Sequence, residues 1–148
     1  MASPYNSTCT IGGNSFDALE ILVALETTPD RNGMPTMGSF TSIVRVVVDM
    51  SDTQNMPYST LNSMFSQANV ATQQSIVPIK LEYWVDETKQ NALCCFKFNG
   101  WISGFQTVNP TGNLQDITKQ GQVINNMLII DLTPTLNQAN QPNFTFSN

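Results

Sequence analysis

Along most of this chain apolar residues recur at every second position, which is the spacing of a half-buried strand. The clearest run is "IKLEYWVD". Ile79, Leu81, Tyr83 and Val85 alternate there with Lys80, Glu82, Trp84 and Asp86. "SFTSIVRVVVD" repeats the pattern. Phe40, Ser42, Val44, Val46 and Val48 share one face, and Thr41, Ile43, Arg45, Val47 and Asp49 share the other. In "FDALEILVALE", Leu19, Ile21, Val23 and Leu25 lie opposite Glu20 and Glu26. Its β-branched content favours a strand, with a helix as the competing reading. "QVINNMLIIDL" sets Ile124, Leu128, Ile130 and Leu132 on one face, and Pro134 ends it. One segment changes period. In "YSTLNSMFSQAN", Leu61, Met64, Phe65 and Ala68 fall at i, i+3, i+4 and i+7, with Pro57 near the first turn. The spacing predicts a short helix, which must gain its stability by packing on a sheet.

The connectors complete the order. Residues 1–15 are polar and contain glycine, and read as an N-terminal arm. "TTPDRNGMPTMG", residues 27–38, holds the turn pair Asn32-Gly33 between prolines. It is longer than a tight hairpin needs, and such loops are usually functional or mobile. "DETKQN" turns "ALCCFKFNGWISGFQTVNP" back beside residues 79–85, with Gly100 and Gly104 marking bends or bulges. Residues 135–148 form a polar tail in which Phe144 and Phe146 suit a last short strand. No repeat or linker divides the 148 residues. The expectation is one domain over 1–148, mainly β: a small antiparallel β-barrel or sandwich with one short α-helix plugging one side.

Composition narrows the function classes. Charged residues are 11% of the chain, with 11 acidic against 6 basic and a net charge of −5. Six dispersed cations make no basic stripe, which argues against a phosphate-tracking nucleic-acid binder. Asn, Gln, Ser and Thr take the place of charge. Such a neutral polar surface suits self-association, or reflects the composition of the genome. No apolar run approaches the length of a spanning helix; Met127 to Leu132 is interrupted by Asp131. The N-terminus "MASPYNSTCTIGG" lacks the pattern of a secretory signal. The sequons at Asn6 and Asn143 therefore read as chance matches. Cys9, Cys94 and Cys95 are an odd set and read as buried small apolar residues in a reducing compartment.

Candidate chemistry is sparse. The chain has no histidine, so a nucleophilic triad lacks its usual base and a zinc site lacks its usual ligand. Asp86 and Glu87 lie in a turn, and Asp49 and Asp52 flank a strand end. Turn carboxylates are mostly solvated, which disfavours a glycosidase-type pair. No cofactor is indicated. Trp84 shares its face with Lys80, Glu82 and Asp86, so Trp84, Asp86 and Glu87 are candidate interface residues; burial of Trp84 under the helix is the alternative. Met34 and Met37 are apolar where a solvated loop should be polar. The loop either folds onto its own barrel or reaches a neighbouring copy.

The succession of a strand, the loop "TTPDRNGMPTMG", a strand ending in Asp49, the "PYSTLNSMFSQAN" helix and "IKLEYWVDETKQNALCCFKFNGWISGFQTVNP" resembles the Hcp family (TssD). Members of that family form the tube of bacterial type VI secretion and are related to phage-tail tube proteins. The most specific part is the alternating strand 79–85, the Asp-containing turn 86–91 and the return strand ending in Val108-Asn109-Pro110. A strand over 122–133 then closes the barrel. The resemblance covers roughly residues 16–134. It implies homo-hexameric rings stacked into a hollow tube, with sheath and spike proteins as partners and effectors in the lumen. It implies a protein held in the bacterial cytoplasm, then secreted without a cleaved signal peptide, and neither inserted in membrane nor bound to nucleic acid. The ring-stacking role falls on Pro29, Asp30, Arg31, Asn32, Gly33, Met34, Pro35, Thr36 and Met37. The sparse charge, the absent histidine, the N-terminal arm and the Asn/Gln-rich tail depart from the family pattern. A monomeric ligand-binding β-barrel or small viral structural protein is the alternative. An enzyme is disfavoured for want of a general base.

Overall fold

The computed structural model describes residues 6–34, 41–70, 75–86, 88–109, 118–119, 122–123, 126–135 and 144–147. Its elements in chain order are β1 (Ser7–Ile11), β2 (Asn14–Ala18), β3 (Glu20–Glu26), β4 (Thr41–Asp49), α1 (Tyr58–Asn69), β5 (Val77–Trp84), β6 (Ala92–Val108), β7 (Thr118–Lys119), β8 (Gln122–Val123), β9 (Met127–Pro134) and β10 (Phe144–Ser147). Eight strands form one antiparallel sheet in the order β2-β1-β5-β6-β9-β4-β3, with β10 also on β6; β7 and β8 pair separately. The described residues are mainly β with one helix, as the periodicity predicts.

The barrel expectation needs one correction: the sheet is not closed. No ladder joins β2 to β3, the two ends of the strand path. The backbone itself spans the gap. β2 pairs with β1, the chain turns at Leu19, and β3 pairs with β4. The Leu19 N–H donates to the Val47 carbonyl at 2.8 Å, so the corner is hydrogen-bonded where the ladder is interrupted.

The arm expectation also changes. Residues 7–11, read as arm, are β1, paired with β2 on one side and β5 on the other. Cys9 and Ile11 alternate with threonines and are buried, as are Phe16 and Ala18 on β2. The reversal takes only Gly12 and Gly13, with Gly12 at φ +62°, a conformation that glycine adopts without a Cβ penalty.

β6 organises the sheet because it is long enough to serve three partners. Its first half lies between β5 and β10, and its second half pairs with β9. A register shift between Ile102 and Gly104 resets the alternation. Without it, Phe105 would point away from Ile102. With it, both pack on the core. Gly104 thus marks a bulge, as its sequence position suggests. Gly100 is different. It stays in register, and a Cβ there would overlap the Thr133 carbonyl oxygen, so close backbone approach is what requires glycine.

The core lies on one face of the sheet. Val44, Val46 and Val48 of β4 sit against Leu132, Ile130 and Leu128 of β9, with none more than 2% exposed. α1 covers the sheet with Met64 fully buried and Leu61 and Ala68 partly buried. Phe65 instead meets Phe105 edge-on, with centroids 5.5 Å apart, and remains half exposed.

Candidate functional site

The loop residues assigned to ring stacking are described as far as Met34; Pro35, Thr36 and Met37 lie outside the described residues. Residues 30–34 form a compact turn around one carboxylate. Asp30 Oδ1 accepts from the backbone N–H of Asn32 at 2.8 Å and of Met34 at 2.9 Å. The Asp30 N–H donates to the Met34 carbonyl, and the Gly33 N–H to the Asp30 carbonyl. Gly33 sits at φ +80°, beyond the easy reach of other L residues. The turn holds Met34 at the surface, 61% exposed, in a conformation held by hydrogen bonds to Asp30 rather than by packing. Pro29 makes a single β-bridge beside it, and Arg31 and Asn32 are exposed.

The second candidate set is tied into the protein's own framework. The Trp84 indole N–H donates to Thr8 Oγ1 at 2.9 Å, and that hydroxyl donates to Asp17 Oδ1 at 3.0 Å. Asp17 also takes the ammonium of Lys89 in the β5–β6 turn, and its backbone is clamped by the Asn55 side chain through both N–H and C=O. The chain of contacts binds the β5–β6 turn to the β1–β2 hairpin. Asp86 holds the turn, accepting from the Thr88 N–H at 3.1 Å. Glu87 lies outside the described residues.

The sheet face opposite the core carries a feature that the sequence reading did not single out as a site. Leu22 and Ile43, on neighbouring strands, are 42% and 45% exposed. Beside them Arg45 Nε donates to Asp131 Oδ1 at 2.8 Å across the β4–β9 pair. That carboxylate raises the Arg45 pKa further above its ordinary value. Gly104 leaves room for the Asp131 carboxylate, since a Cβ there would come within 2.9 Å of Oδ2. The signal was present in "SIVRVVVD": Ile43 shares a face with Arg45 and so cannot be core.

A further apolar area adjoins the helix. Tyr58, Leu61, Phe65 and Phe105 line an open groove of about 460 Å³. The thiols are all free; Cys9 and Cys95 are buried, and burial pushes both thiol pKa values up. Such thiols are poor nucleophiles. Among the described residues no group of His, Cys, Asp or Glu is arranged to hold a metal ion, and no helix is long and apolar enough to cross a membrane.

No protein-family model matches the sequence, and no curated protein matches it. Solved structures do match the fold. One is a crystal structure of an Hcp protein, with TM-score 0.61 and 8% identity over 96% of each chain. Another is Hcp1 from Flavobacterium johnsoniae, with TM-score 0.60 and 9% identity over 88% of this chain and 90% of that one. At this identity the likeness speaks for the fold alone, and the fold is Hcp-like.

Proposed function

We propose that this chain is a structural subunit, not an enzyme, that assembles into six-membered rings stacked as the inner tube of a contractile injection apparatus. The observation that carries the reading is the likeness to two Hcp structures over nearly the whole of each chain. The strand order supports it. β2, β3 and β10 each have one side without a strand partner in the described sheet, and unpaired edges are natural sites for pairing with another copy. The exposed Met34 turn supports a contact between rings through residues 29–37. Sheath and spike proteins surround and cap such a tube, and effectors travel in its lumen. On this reading the protein waits in the bacterial cytoplasm and leaves with the tube when it is fired.

The test is native mass together with negative-stain imaging. Six-fold rings, or filaments built from them, are expected. A monomer at micromolar concentration would count against the reading and favour a ligand-binding barrel. Stacking is tested separately: replacing Met34 and Met37 together by Asp should leave rings and abolish filaments. Normal filaments from that variant would remove the loop from the interface.

A further inference from the structure

On the sheet face away from the core, one cross-strand row runs over five strands. Ser15 pairs with Thr10, Thr10 with Lys80, Lys80 with Lys97, and Lys97 with Thr145. Directly opposite residues on one face have Cβ atoms about 5 Å apart, and like charges so placed repel. This chain has only six cations and a net charge of −5, yet it sets two lysines directly opposite each other across β5 and β6. Glu82 lies 3.5 Å from the Lys80 ammonium and offsets part of its charge. Lys97 has no ion pair among the described residues. Asp17, in the neighbouring row, is already taken by Lys89. Around the lysines the sheet is open: Thr10, Lys80, Lys97, Asn99 and Thr145 line a groove of about 430 Å³.

We propose that this groove is an oxyanion-binding site, taking a carboxylate or phosphate group between Lys80 and Lys97. The two ammoniums supply charge-assisted hydrogen bonds, and the hydroxyl of Thr145, opposite Lys97, supplies a further donor, while the Thr10 hydroxyl donates to Ser15 Oγ at 3.2 Å. An anion there would lie between two cations on facing strands. All its side chains belong to one chain, so the site needs no second copy to be complete.

The chain has four lysines, Lys80, Lys89, Lys97 and Lys119, so each can be followed separately by NMR after reductive 13C-methylation, which keeps the charge. Inorganic phosphate and succinate would be titrated separately at constant ionic strength. Two charged hydrogen bonds correspond to a Kd of about 0.05–5 mM. The expected result is joint, saturating movement of the Lys80 and Lys97 signals with at least one anion, while Lys89 stays still. Saturation by succinate alone would assign the site to carboxylates, and saturation by phosphate alone to phosphate groups. Lys97→Gln should weaken the Lys80 response at least about tenfold. Two outcomes would overturn the proposal: parallel, unsaturated drift of all the lysines up to about 50 mM, or a Lys80 response unchanged in Lys97→Gln.

Discussion

The two faces of the β4–β9 pair differ in what they contribute to the fold. On one face, Val44, Val46 and Val48 meet Leu132, Ile130 and Leu128 and are sealed from water. On the other, in the same strands, Arg45 meets Asp131 while Ile43 stays half exposed beside Leu22. The backbone is shared, so the contrast comes from side chains alone. Burial of the first face supplies the hydrophobic term that holds the sheet. The second face leaves two apolar side chains, Leu22 and Ile43, half exposed, and the chain's own packing does not use them. Substitution on the first face should therefore cost stability, and on the second it should cost association.

The largest effect is expected at Ile130, which is fully buried between Val46 and Phe105. Ile130→Ala should lower unfolding free energy by about 3 kcal/mol, from lost transfer energy and the residual cavity. Urea denaturation followed by circular dichroism measures it. A loss below about 1 kcal/mol would mean that the face is not the core. Next is Gly100→Ala. The added Cβ meets the Thr133 carbonyl and the Pro134 Cα, both backbone, so β6 and β9 must separate. A cost of about 2 kcal/mol is expected in the same assay. Gly13→Ala is the control, because nothing lies within 4 Å of a Cβ there.

Cys9 extends the contrast to pH. Burial raises its pKa above the ordinary 9.0, so the folded state keeps the proton that the unfolded state loses. The unfolded chain then binds fewer protons, and stability falls as pH rises. This contribution is complete below pH 9.0 and declines above it by about 1.4 kcal/mol per pH unit. Cys9→Ala should flatten that alkaline slope. An equal slope in both proteins would show that the Cys9 thiol ionises freely in the fold.

Much of this fold is legible in the sequence where burial is one-sided. Alternation within 77–84 marks β5, the shared face of Val44, Val46 and Val48 marks β4, and the 3.6-residue spacing marks α1. β1 was harder to see because Cys9 and Ile11 are its only strong apolar signals and threonine fills the rest. The glycine pair after it was the clue, since two residues suffice to turn a hairpin. Sheet order was not legible, because pairing partners lie far apart in sequence. For that reason the Arg45–Asp131 pair and the Lys80–Lys97 row emerge only from the register. The loop 27–38 was visible as a loop, but the carboxylate-centred turn at Asp30 depends on bonds that no periodicity encodes.

The smallest effect on stability is expected on the outer face. Leu22→Thr combined with Ile43→Thr removes two exposed apolar side chains while keeping residues suited to strands. Neither side chain is sealed in the core, so unfolding free energy should change by less than about 1 kcal/mol. If this face meets another copy, each subunit loses apolar contact area at every repeat of the interface, and small losses accumulate around a closed ring. Sedimentation velocity should then show rings dissociating at concentrations where the unaltered protein stays assembled. Unchanged assembly would place the contacts elsewhere, with the groove beside Tyr58 and Phe65 next to be altered. A large loss of stability would break the comparison itself, because it would mean that the outer face also holds the monomer together.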